Sequence, residues 1–166
     1  MTFFSRIARR AAPAMLLLIS AVALTACQSI FAGIGGPSGN AVSAQAAATV
    51  AEIRSTNGLS TLRPDRELER AALAQASNMA SAGRMTHNTG ARRDFPSRMR
   101  AGGIRGTAAE NIAHGRFDTA RVISVWMNSD GHRRNMLNER FSRFGLAYVP
   151  DPRDPSRRYW AMVLGE

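Results

Sequence analysis

Between residues 41 and 56 the apolar positions Val42, Ala46, Val50 and Ile53 recur at three- and four-residue steps, and Asn57-Gly58 follows. That spacing predicts a helix with one buried stripe and a glycine stop. A second helix is expected to open at Pro64-Asp65. Proline suits a first-turn position, and Asp65, Glu67 and Glu69 would lie near the positive end of the helix dipole. Leu68, Ala72, Ala76 and Met79 make its stripe, and Gly83 ends it. The small alanines on that stripe imply close approach of a neighbouring helix or sheet. A short third helix is expected over residues 95–101, stopped by Gly102-Gly103. A fourth spans residues 119–128, with Asp118 as its N-cap and Phe117 placed to staple against Val122.

The pattern then switches to period two. Residues 144–149 and 159–164 are apolar on both alternating faces, which suits strands covered by helices on each side. The intervening Pro150-Asp151-Pro152-Arg153-Asp154-Pro155 reads as a loop too rich in proline to pair. A third strand is expected around residues 110–113. Helices first and strands late describe an α+β layered domain over residues 41–166. Residues 27–40 are rich in Gly, Ser and Pro, without periodicity, and read as a flexible tether.

The first 26 residues have a different character. Arg6, Arg9 and Arg10 precede an uncharged stretch containing Met15-Leu16-Leu17-Leu18-Ile19, which ends in Leu24-Thr25-Ala26-Cys27. A basic start, a short apolar middle and a small-residue end are the marks of a secretory signal peptide. The Leu-Thr-Ala-Cys run resembles a bacterial lipobox, which implies cleavage after residue 26 and lipidation of Cys27. The alternative is a retained N-terminal transmembrane anchor, although Ser20, Thr25, Gln28 and Ser29 dilute the apolar run. Either way the C-terminal domain is expected to be exported to the cell envelope, because the arginines stay inside.

Composition narrows the chemistry. All 22 basic residues are arginine, so a lysine nucleophile, a lysine Schiff base and a lysine-dependent phosphate loop are excluded. One cysteine excludes an intrachain disulfide and a multi-cysteine zinc site. Losing residues 1–26 removes three of the 22 basic residues and none of the 12 acids, so the domain stays basic. Nucleic acid is a poor partner for an exported chain with no recognition-helix or aromatic-platform pattern. Arg92, Arg93, Arg98, Arg100 and Arg105, with Arg133 and Arg134, read as a basic rim for anionic partners or as a solvated face.

Three histidines remain as candidate chemistry: His87, His114 and His132. His87 follows the Gly83 stop, in a polar segment. His114 reads as an exposed loop residue or a rim residue. His132 precedes a short helix over residues 133–137 that Asp130 is placed to cap. Glu110 stands in an otherwise apolar candidate strand, where an unpaired charge is expensive, so it requires a partner. An arginine ion pair is one such partner. Trp126 and Trp160 lie on apolar faces and read as core.

Asn57-Gly58-Leu59, Leu62-Arg63-Pro64-Asp65, Met85-Thr86-His87, Ala109-Glu110-Asn111-Ile112-Ala113, Trp126 with Ser129-Asp130-Gly131-His132-Arg133-Arg134-Asn135-Met136-Leu137, and Tyr159-Trp160 stand in a distinctive order. Together they resemble the CAP superfamily of cysteine-rich secretory, antigen-five and pathogenesis-related proteins, in its bacterial SCP-like branch. The resemblance implies a three-layer α-β-α sandwich with a cleft lined by two histidines and acids. His87 matches the first cleft histidine, Glu110 the first acid and His132 the second histidine. Ser129 stands where the second acid belongs.

Two imidazoles and a carboxylate make a plausible set for zinc or another divalent cation, with a fourth position open. On this reading the chain is an envelope lipoprotein, membrane-attached through its lipid. Its cleft at His87, Glu110, His132 and Ser129 takes a lipid, an anionic glycan or a protein. Hydrolysis by the same metal trio and a purely structural role are the alternatives. Ser129 with His132 lacks an orienting acid for serine chemistry.

Overall fold

The structure, a computed structural model, describes residue 1 and residues 38–166. The expected signal peptide, Cys27 and most of the tether lie outside the described residues. In chain order the elements are β1 (Asn40–Ala41), α1 (Ser43–Thr56), β2 (Arg63–Pro64), α2 (Arg66–Ala82), α3 (Phe95–Ala101), β3 (Ala108–Gly115), α4 (Thr119–Met127), α5 (Asp130–Met136), β4 (Arg143–Asp151) and β5 (Asp154–Gly165). Asn40, which composition assigns to the tether, pairs with Tyr148 and so belongs to the sheet.

The helix ends follow local chemistry. Asp65 caps α2 by accepting from the backbone N–H of Glu67 and Leu68, and Gly83 closes it in the left-handed region at φ 62°. Asp94 and Asp118 cap α3 and α4 in the same way. Pro64 differs from expectation. It precedes the cap and pairs in parallel with Phe144 instead of entering the first turn.

The buried face of α1 runs through Ser43, Ala46, Val50 and Arg54, while Ile53 is only half-buried. Arg54 is 0% exposed and has no carboxylate partner among the described residues. Its Nε donates to the Ser60 carbonyl at 2.6 Å, Nη1 to Met136 and Asn138 at 3.1 and 2.9 Å, and Nη2 to Phe141 at 3.4 Å. Four carbonyls thus do for this charge what a counter-ion would do, and burial pushes its pKa down.

The sheet order is β1-β4-β5-β3, with β2 pairing β4 beside β1. One face packs Phe144, Leu146, Trp160, Met162 and Leu164 against α1, α4 and α5. The other packs Ala147, Val149, Tyr159, Ala161 and Val163 against α2 and Met99 of α3. The domain is therefore the expected α+β, three-layer α-β-α sandwich. The alanine stripe of α2 has its counterpart in the sheet. A Cβ at Gly145 would collide with the backbone of Leu68 and Glu69, so only glycine allows that approach.

The proline-rich loop is the largest departure. Pro150 pairs with Arg158 and Asp151 with Asp154, leaving Pro152 and Arg153 as the whole turn. Proline is tolerated at strand edges and bulges. Pro150 sits at both: β1 reaches only as far as Tyr148, and the register shifts between Pro150 and Asp151.

Candidate functional site

β3 is an edge strand, and Glu110 and Asn111 are successive residues of it. Alternation turns their side chains to opposite faces of the sheet. Glu110 points to the α2–α3 layer and Asn111 to the α4–α5 layer.

On the first face α3 supplies Arg98, and the loop after α2 supplies His87. Arg98 Nη1 donates to Glu110 Oε2 at 2.8 Å and Nη2 donates to Oε1 at 2.9 Å, a bidentate fork. His87 Nδ1 lies 2.8 Å from Oε1. The Glu110 side chain is 2% exposed, that of Arg98 9% and that of His87 55%. The partner that a buried Glu110 requires is thus Arg98, and His87 hangs from the resulting ion pair into solvent.

On the second face α5 carries His132. Ser129 is the N-cap residue of α5, and its hydroxyl lies 3.0 Å from His132 Nδ1 instead of capping the helix. Asp130, the expected cap, is the first helical residue. Asn111 Nδ2 donates to the His132 carbonyl at 3.1 Å, and Asn135 Nδ2 donates to Asn111 Oδ1 at 2.9 Å. Trp126, wholly buried, donates from Nε1 to the Ile112 carbonyl and lies beside the His132 ring. Burial pushes the His132 pKa down, and the positive charge of His87 adds to the effect.

All four expected cleft residues gather at this edge, as two bonded pairs: His87 with Glu110, and Ser129 with His132. Their arrangement does not fit the expected three-ligand metal set. Among the described residues no group of three or more His, Cys, Asp or Glu side chains could hold a metal ion. The reason is Arg98, which occupies both oxygens of Glu110 and would face any cation placed there. Glu110 is an orienting group, and the nitrogens left over are His87 Nε2 and His132 Nε2. Each of those rings has its Nδ1 engaged, the usual outer support of a metal-binding imidazole.

His114 belongs elsewhere. It lies four residues beyond Glu110 in β3, about 13 Å on at ~3.3 Å per residue. Its ring stacks on Tyr159 at 4.0 Å and 9°, and its Nε2 bonds Asp151 at 2.9 Å. It is neither an exposed loop residue nor part of the cleft rim. Two shallow hollows, of about 430 and 420 Å³, lie between α1 and α4 and along α5; His87, Glu110 and His132 line neither.

Sequence reasoning left Arg98 in the basic rim. The signal that could have found it was the demand of Glu110 for a cation, with Arg98 the one arginine of α3 facing the sheet beside buried Met99. Asn111 and Asn135, which tie β3 to α5, carried no signal of their own.

The α-β-α sandwich built on this sheet has the fold of SCP domains. Residues 47–164 match the CAP family, described as the cysteine-rich secretory protein family, and the chain belongs to it. It is 36% identical over 97 residues to the uncharacterized protein YkwD of Bacillus subtilis, covering 58% of this chain and 38% of that one. An extracellular SCP-domain protein from Bacillus anthracis superposes with a TM-score of 0.66 at 26% identity, over 74% of this chain and 39% of that one. An outer surface protein from Borrelia burgdorferi shares the fold at TM-score 0.66 and 20% identity, over 78% of this chain and 98% of its own. The chain thus spans well under half the length of YkwD and of the Bacillus anthracis protein. No described helix is long and apolar enough to cross a membrane.

Proposed function

We propose that this chain is an exported, lipid-anchored binding protein of the bacterial cell envelope that holds a ligand or partner at the β3 edge through His87 and His132. The observation that carries the reading is the solvent-facing His87 imidazole, held by a buried acid that is itself held by a buried arginine. Such an arrangement presents a nitrogen without supplying a reaction. The Ser129–His132 pair offers no second route to chemistry, since no acidic side chain among the described residues bonds His132. Export is supported by the basic, apolar and Cys27-terminated front end, and by the likeness to an extracellular protein of Bacillus anthracis. Lipid, anionic glycan and protein are the partner classes that a basic envelope domain accommodates.

A second reading, a divalent cation held by the two imidazoles with Glu110 behind His87, is favoured by the engagement of both Nδ1 atoms. The test uses the full chain and its His87→Ala/His132→Ala variant, titrated against Zn²⁺, phospholipid vesicles and an anionic glycan. Binding lost in the double variant at unchanged melting temperature supports the cleft, and equal binding by both chains overturns it. A Cys27→Ser chain released from membranes supports the lipid anchor, and one retained there points to the uncleaved helix.

A further inference from the structure

We propose that Arg98 is the positioning residue of the cleft: its guanidinium sets which nitrogen of His87 faces solvent. This rests on the cleft reading above only for its use, not for its geometry.

At 55% exposure the His87 side chain has too little packing to fix its ring. Its orientation comes from one bond, Nδ1 to Glu110 Oε1 at 2.8 Å. Glu110 in turn is fixed by the Arg98 fork. The same guanidinium also donates to the backbone that carries the histidine, from Nη2 to the His87 carbonyl at 3.3 Å and from Nε to the Arg93 carbonyl at 3.1 Å. One side chain thus holds both the acid and the loop. That loop needs holding, because Arg92 sits within it at φ 57°, the one positive value for a non-glycine among the described residues.

The chemistry follows from donor counting. Arginine is always charged and only donates, so a carboxylate in its fork is an acceptor. Glu110 Oε1 therefore receives a hydrogen from His87, and Nδ1 must carry it. The neutral ring then turns a lone pair at Nε2 outward. The outward nitrogen suits a group that donates a hydrogen to it or accepts its electron pair, such as a ligand hydroxyl.

The experiment reads the ring nitrogens directly. Long-range proton–nitrogen spectra of the ¹⁵N-labelled full chain, recorded above the histidine pKa range, should show His87 as a single Nδ1–H tautomer. The chain has only three histidines, which makes assignment simple. Arg98→Met should give a mixed tautomer at His87 while His114 stays unchanged. Arg98→Lys, which keeps the charge but not the fork, should also give a mixture, and decides the matter if the Met variant fails to fold. Titrated with Zn²⁺ alone, each variant should bind about tenfold or more weakly than the wild type. A single Nδ1–H tautomer at His87 in folded Arg98→Lys overturns the proposal. A wild type that binds no Zn²⁺, vesicle or glycan overturns the cleft reading instead and leaves the tautomer result to stand alone.

Discussion

β3 carries two clusters of the same composition with opposite construction. Near its start Glu110 is held by Arg98 and His87. Near its end His114 meets Asp151, which is held in turn by Arg153 through Nε at 3.1 Å and Nη2 at 3.2 Å. Both carboxylates are buried, at 2% and 4% side-chain exposure, and each has one arginine and one histidine. In the first cluster the arginine is buried at 9% and the histidine open at 55%. In the second the histidine is largely covered, at 15%, and the arginine open at 62%. His114 is further closed by the Tyr159 ring on one side and by Arg157, whose Nη2 lies 3.2 Å from Nδ1. The difference teaches which member of such a triad is free to act. A buried arginine can neutralise the acid from within and leave its histidine to face outward. An exposed arginine leaves the histidine to complete the wall.

Substitutions should therefore cost opposite amounts in the two places. The largest effect is expected for Arg98→Met, which strands the Glu110 charge in the protein interior and should lower stability by about 3 kcal/mol or more in urea unfolding. His114→Ala comes next. It removes a ring stack and a bond to a buried carboxylate, at about 2 kcal/mol by the same measurement. An equal cost for Arg98→Met and Arg153→Ala would break the comparison.

A smaller effect concerns pH. The hydrogen bond from Arg153 is the main cause holding the Asp151 pKa well below the ordinary carboxylate range. A folded value below the unfolded one means that the contribution is complete above about pH 4 and is lost as pH falls further. Arg153→Ala should flatten the loss of melting temperature between about pH 4 and pH 2. The smallest effect is expected for His87→Ala, within about 0.5 kcal/mol of wild type, because an open side chain contributes little to packing. A large loss there would mean that His87 braces the sandwich.

Much of the frame was legible because it depends on neighbours in the chain. Asp65 and Gly83 bound α2, Asp118 opens α4, and Phe95–Ala101 is helical where the pattern placed it. The misses depend on distant partners. β1 and β2 are two residues each and exist only because β4 passes beside them. Arg54 stands at the next buried step after Val50, and nothing nearby reveals the carbonyls of Met136, Asn138 and Phe141 that accept it. The hairpin through Pro150 was hidden because proline near a turn usually signals loop. At the cleft, His87, Glu110, His132 and Ser129 were placed by family resemblance, and physics asked only that Glu110 have a partner. Arg98 was one of many arginines until the fold chose it.

The outer margin of β3 has one more consequence. Trp126 and Asn135 donate to the backbone carbonyls of Ile112 and Glu110, so side chains from α4 and α5 already fill part of the row where another molecule's strand would attach. An unguarded margin of this kind invites molecules to zip together into fibres. Here the indole and the amide act as bolts, two outward carbonyls of that margin being already taken.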